Sequence, residues 1–278
     1  MKIWRGNFSL NSMGRLNVLS RSGSPVFNEQ VISDAARNVA RGSQETMTVS
    51  GVVNKTGLLT LVLLATIVVL MALPFENLTM AVYGTASTVS GLVGLGLVLA
   101  MCFKKDLARY IAFPYAVTEG VFLWALVSVV ETAYSGIAFK ALGATVILLA
   151  SVSLSYKMGF IKVNDTFLSV FKVATIAAFA LILLNVITAF VFKDIGDKLF
   201  GLDVSGGYGL IAIGITVFLI LWGSMSLVID INTAETGEQE GAPKDFEWYC
   251  SVSILITMVY LYIQILKLLI QIANATRD

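Results

Sequence analysis

Seven long apolar runs fix what this chain can become. From Lys55 onward they fall at roughly 57–74, 79–103, 111–130, 138–156, 168–192, 207–229 and 249–270, broken by short polar connections. A run of about 18 or more apolar residues is long enough to cross ~30 Å of hydrocarbon as a helix. A soluble protein cannot hide seven such helices. The bilayer is therefore the solvent, and a polar group inside a span needs a reason to be there. The expected fold is an all-α membrane protein with seven transmembrane helices.

Composition agrees and excludes several functions. Of 278 residues, 57% are hydrophobic and 13% charged, against about 25% charged in soluble domains. A net charge of +1 leaves no basic surface for nucleic acid. There is no histidine, so the commonest metal ligand and proton shuttle is missing. No Gly-x-Gly-Asp motif partners a membrane aspartate, and no Gly-rich phosphate loop follows a strand. We expect no enzymatic activity, no metal site and no cofactor. Cys102 and Cys250 sit in or beside spans, where small apolar packing is favoured over a disulfide.

Residues 1–56 differ from the rest. They carry seven basic residues against three acids, and no apolar core follows the early charges, so this is not a signal peptide. The reading is a largely disordered polar tail over 1–56, with a short helix around Asn28–Arg41, ahead of a seven-helix domain over 57–278.

Loop charge sets the topology, because basic residues stay inside. With the tail inside, the Pro74–Asn77 hairpin, which has no basic residue, lies outside. Lys104, Lys105 and Arg109 then lie inside, and so do Lys157 and Lys162. The mixed fifth loop (Lys193 to Asp203) lies outside. The acidic sixth loop (Glu235 to Glu247) lies inside, and the C-terminus ends outside.

Several polar or small residues within the spans are candidates for a role. Glu119 lies roughly 12 Å into the third span at 1.5 Å per residue. It is either part of an ion or proton path or a hydrogen-bonding group to a neighbouring helix. Asp230 ends the sixth run, and hydropathy alone favours a solvated helix end. Gln264 lies deep in the last span, where an amide usually bonds across to another helix. Asn185, mid-way through the fifth span, reads as packing glue. Glu131 and Lys267 mark span ends, Lys267 snorkelling outward. Gly91 and Gly94, with Ser87, let another helix approach the second span closely, within one bundle rather than across a dimer.

Five segments carry a resemblance to a known family: Ser24–Glu29, Met47–Thr56, Tyr115–Gly120, Gly159–Val163 and Gly241–Tyr249. Together, in this order, they resemble the Bax-inhibitor (YccA-like) membrane protein family, in its bacterial branch with an extended polar N-terminus. The resemblance implies a last helix central among six others and a bacterial inner-membrane location. It also implies a pH-sensitive calcium leak channel, in which an acid near the end of the sixth helix and one in the seventh share a proton and hold the pore closed. Asp230 falls on the first of those positions, and Glu119 on an acid of the third-span Glu-Gly segment. The chain departs at Gln264, where the family has an acid, at Asn232 and at Trp124. Two carboxyls close together can share one proton, whereas an amide donates to Asp230 at any pH. An Asp230–Gln264 latch would respond weakly to pH, and Gln264→Glu would strengthen the response.

Two functions follow as expectations. One is a cation leak, with Ca²⁺ as the permeant ion, lined by Glu119 and gated at Asp230. The other is a non-conducting modulator that binds a further membrane protein, such as a quality-control protease, through its tail. Apart from the lipid bilayer, these are the partners to look for.

Overall fold

The structure, a computed structural model, describes residues 45–73, 79–191 and 209–276, without the side chains of residues 182 and 185–191. The tail before residue 45, the first hairpin and the fifth loop lie outside the described residues, as does the helix expected around Asn28–Arg41. The side chain of Asn185 does too, although its backbone is helical.

The described chain is helical throughout. In order, the helices are α1 (Val49–Ala72), α2 (Met80–Phe103), α3 (Ala108–Ala133), α4 (Ile137–Lys157), α5 (Asp165–Val191), α6 (Gly209–Gln239) and α7 (Phe246–Ala275), with a single 3₁₀ turn at Lys105–Leu107. Each of the seven apolar runs became one helix. Six are long and apolar enough to cross a membrane; the count omits α5, several of whose side chains are undescribed. Their outward faces are apolar, as with Leu61 and Val68 on α1 and Leu92 and Leu95 on α2. That suits a hydrocarbon solvent.

Local chemistry sets several ends. Thr48 caps α1, its Oγ1 accepting from the Gly51 N–H at 3.0 Å, a bond that satisfies one of the free first-turn donors. α1 therefore begins at Val49, and residues 45–56 belong to the helical body rather than to the tail expected over 1–56. Glu131 does more than mark a span end. Its carboxylate accepts from the Gly136 and Ala138 N–H groups at 2.6 and 3.2 Å, capping α4. At the end of α6, Gly241 takes φ 69°, and the Ala242 N–H bonds to the Gly237 carbonyl while the Gly241 N–H bonds to Glu238. This left-handed stop suits glycine, which has no Cβ to clash.

α6 and α7 are the long pair. With 31 and 30 residues they run about 45 Å each at 1.5 Å per residue, well beyond ~30 Å of hydrocarbon. The surplus lies at the hairpin end, where α6 continues past Asp230 to Gln239.

α7 is the most buried helix, with apolar side chains such as Val252, Leu255, Leu261, Leu266 and Ile270 closed off from solvent. It packs against α1, α3, α4 and α6. The expected six-helix surround is therefore corrected to four principal neighbours: α2 docks mainly on α3, and α5 on α6. The α5 seam is apolar and aromatic. Leu168 and Phe171 pack on Ile229 and Trp222, and the Trp222 Nε1–H donates to Thr175 at 3.0 Å.

Close helix approaches use glycine. On α2, Gly91 faces the Phe122 ring, which a Cβ there would meet at 3.6 Å, and Gly94 faces Glu119, both on α3. Gly91 and Gly94 thus lie against α3. Gly120 on α3 meets Leu63 and Thr66 of α1, and Gly223 on α6 meets Tyr260 and Leu261 of α7.

Candidate functional site

Asp230 is a buried acid on α6, with 5% of its surface exposed. It is not the solvated helix end that hydropathy favours. The apolar run stops there, but the helix continues for more than two turns through Thr233, Ala234 and Gly237, all buried. Gly237 is covered from the other end of the chain, where Met47 packs on it.

Both Asp230 oxygens are engaged from α7. The Ser253 hydroxyl donates to Oδ1 at 2.8 Å and the Thr257 hydroxyl to Oδ2 at 2.6 Å. Residues four apart share a helix face, so α7 presents both hydroxyls together. Hydrogen bonds to a carboxylate are stronger than neutral ones, and apolar surroundings strengthen them further. The group ties α6 to α7 at one level of the bundle.

Gln264 is not part of this group. It lies seven residues beyond Thr257, about 10 Å along α7, and its buried Oε1 has no hydrogen-bond partner among the described residues. The expected Asp230–Gln264 latch is replaced by a carboxylate–hydroxyl latch. α6 and α7 are antiparallel and both overshoot the apolar zone, so Asp230 meets the first turns of α7 rather than its middle.

Glu119 sits elsewhere. It is half-buried at the α2–α3 seam, where its carboxylate lies over Gly94, one turn from the buried Tyr115. No hydrogen bond or ion pair joins Glu119 to Asp230 among the described residues. The structure thus brings together Glu119 and Gly94, and leaves Asp230, Gln264 and Glu119 as three separate polar points.

A second polar cluster lies at the hairpin end, and the sequence reading missed it. Glu247, in the first turn of α7, is fully buried. Its carboxylate is ion-paired with Lys55 of α1, and it accepts from the Thr48 N–H at 2.9 Å and the Thr48 hydroxyl at 3.3 Å. Lys244 stands 3.9 Å away. Gly51 leaves room for the carboxylate, which a Cβ there would strike. Residues 45–49 run along the α6–α7 turn. The Met47 N–H donates to Ala242 at 2.8 Å, Lys244 N–H to Glu45 at 3.0 Å, and Val49 N–H to the Glu238 carboxylate at 3.0 Å. One turn along α7, the Ser251 hydroxyl bonds Val52 of α1 at 3.1 Å.

A third contact joins α4 to α6. The Tyr156 hydroxyl lies 2.8 Å from Glu235 and 3.2 Å from Asn232, so the amide that stands in place of an acid has a tyrosine partner. Past the end of α6, one buried oxygen of Glu240 has no partner among the described residues. Burial pushes that carboxyl above its usual range. Cys102 and Cys250 are free thiols, as expected, and Trp124 packs on Tyr83 with ring centroids 5.3 Å apart.

Among the described residues no three of His, Cys, Asp or Glu converge on a point. Asp230 offers one charged oxygen group with two neutral hydroxyl oxygens beside it. Hard cations take six or more oxygen ligands when held firmly. This arrangement offers too few oxygens for a firmly held cation.

The family described as Bax inhibitor 1 like matches residues 24–274, nearly the whole chain. The chain belongs to the Bax inhibitor 1 like family. No curated protein matches it. In this family member the Met47–Thr56 and Gly241–Tyr249 segments, far apart in sequence, form one structure, joined by the Lys55–Glu247 pair and by the Met47 N–H on the Ala242 carbonyl.

Proposed function

We propose that this protein is a multi-pass cation leak, not an enzyme. In this reading the α6–α7 latch at Asp230 holds the path closed, Glu119 is a second carboxylate along it, and Ca²⁺ is the permeant ion. The observation that carries the reading is the burial of Asp230 with a hydroxyl on each oxygen. A bundle held only for stability would be cheaper to build with apolar residues at this depth. Charged groups at such depth usually mark ion paths. The seventh span, α5, completes an odd number of crossings. With the basic loops inside, the N-terminal tail then faces the cytoplasm of a bacterial inner membrane.

One observation favours the modulator reading as well. Residues 45–49, which join the tail to α1, are stitched to the α6–α7 turn, so a membrane protein that held the tail would pull on α7. Calcium flux into liposomes separates the two. A leak gated at Asp230 predicts that Thr257→Val, which strips one hydroxyl from the latch, raises flux several-fold, and that Glu119→Gln changes it. No flux above empty liposomes in any variant would leave the modulator.

A further inference from the structure

The corner between α2 and α3 sets cations beside exposed aromatic rings. α2 stops at Phe103, where its apolar run stops, and Lys104, Lys105 and Arg109 follow directly. Phe103 and Tyr110 face outward, 86% and 67% exposed. The end of an apolar run lies where membrane meets water, and aromatic rings gather at that depth.

The protein does not use up these cations. Lys104 and Lys105 have no carboxylate partner among the described residues. Lys105 lies instead over the Tyr249 ring of α7, 5.6 Å from its centre. Arg109 has Asp245 at 3.6 Å, with both side chains exposed, and such surface pairs contribute little. Three cations thus face Asp106 and Asp245, and the corner keeps a net positive charge.

Inward from Arg109, the outer side of α3 changes character step by step. Arg109, Phe113 and Val117 follow at intervals of four, so they form one stripe, and all three are exposed. Each step is about 6 Å along the axis. Phe113 packs on Trp248 of α7 with ring centroids 5.5 Å apart. The stripe runs cation, aromatic, aliphatic from the surface into the bundle's apolar zone. A phospholipid has the same order: phosphate, glycerol ester, acyl chain. A guanidinium matches phosphate oxygens in pairs. A zwitterionic lipid would bring an ammonium to a corner that already holds unpaired cations.

We infer that the α2–α3 corner binds an anionic phospholipid, with Lys104 and Arg109 on the headgroup phosphate and Phe113 and Val117 along the start of an acyl chain. This surface does not depend on what the bundle conducts. The same end of the bundle supplies a control: Lys157 and Lys162, both exposed, in the connection from α4 to α5.

Native mass spectrometry of the full chain tests this, after release from nanodiscs of phosphatidylglycerol and phosphatidylcholine in equal amounts. The parent chain is expected to retain phosphatidylglycerol in preference. Lys104→Gln with Arg109→Gln should lower that preference about fivefold for each cation removed, the equivalent of about 1 kcal/mol each. Lys157→Gln with Lys162→Gln removes the same charge and should leave the preference unchanged. Phe113→Ala should weaken it several-fold, whereas a site for free phosphate would be indifferent to that change. Lys104→Gln alone, on the extended residue that follows α2, carries the test if the double variant fails to fold. No preference in the parent chain overturns the site. Equal losses in the two double variants also overturn it, since surface charge alone would then hold the lipid. Displacement of the lipid by excess inorganic phosphate, with Phe113→Ala unchanged, would mean a free-anion site and overturn the lipid.

Discussion

Lys55 on α1 and Glu247 on α7, 192 positions apart in the chain, form an ion pair in which the carboxylate is fully buried. The two partners are not equivalent. The Lys55 ammonium also lies 5.0 Å from the centre of the Trp248 ring and its side chain keeps 17% of its surface exposed, so it has other places to put its charge. Glu247 has none. Removing one partner of a buried pair commonly costs 3–5 kcal/mol because the other charge is stranded, while replacing both by apolar groups is often neutral. Lys55→Ala should therefore destabilise the detergent-solubilised protein by about 3 kcal/mol. Glu247→Gln, which keeps an oxygen for Thr48, should cost clearly less. Thermal unfolding of the two variants checks the order; equal losses would mean that the pair acts through packing alone.

Glu240 gives a stability effect of opposite sign. Its carboxyl is held above the usual range by burial, so the folded state favours the protonated form. Such a group adds stability in acid and loses it as pH rises through its raised value. At neutral pH the ionised carboxylate is a burden, discounted because the side chain is only partly buried. Glu240→Gln should stabilise the fold at pH 7.5 by less than about 1 kcal/mol, and the gain should fade below the ordinary carboxylate range. Melting curves of both proteins at pH 7.5 and pH 4 show whether the difference shrinks in acid.

The glycines divide into two kinds, and the division predicts opposite outcomes. A Cβ on Gly120 would come within 2.7 Å of Thr66 Cβ and 2.9 Å of the Leu63 carbonyl oxygen of α1. A backbone oxygen cannot step aside without moving the helix. Gly84 has nothing within 4 Å of such a Cβ. In a helix alanine is better than glycine by roughly 1 kcal/mol. Gly84→Ala should be neutral or mildly stabilising. Gly120→Ala should destabilise by about 1–3 kcal/mol through overpacking. If both behave alike in thermal unfolding, α1 and α3 are not in the contact described.

The spans were legible because hydrophobic length is a local signal that needs no partner. α2, for instance, ends at Phe103 with the apolar run itself. The polar ends were not legible from local sequence. Asp230 reads as a terminus because what continues the helix is its packing against residues 45–49, brought from nearly two hundred positions away. Lys55 and Glu247 stood in the sequence as the last charge of a tail and one acid of a loop. Ser253 and Thr257 passed as small residues in an apolar run, although their four-residue spacing on one face was a readable signal. The family pattern pointed to Asp230 but also to Gln264, and helix depth, which sequence does not give, separates the two.

The latch geometry changes what pH can do. Asp230 is bonded to two hydroxyls, and serine and threonine do not titrate in the accessible range. Of the groups near it on α7, Cys250 and Tyr249 feel its charge, and neither is a second carboxyl with which a proton could be shared. A paired-acid latch would titrate as a coupled unit, whereas this one has a single proton to gain. Protonation turns two charge-assisted hydrogen bonds into neutral ones, about half as strong, so acid loosens the contact between α6 and α7. If the protein leaks Ca²⁺ through this latch, flux should rise on acidification with the slope of one proton, and Asp230→Asn should flatten the profile. Gln264→Glu, two turns away, should add at most an independent titration and leave the slope no steeper. Liposome flux from pH 5 to pH 8 on the three proteins measures this. A two-proton slope in the parent chain would mean that another acid reaches Asp230 in the conducting state.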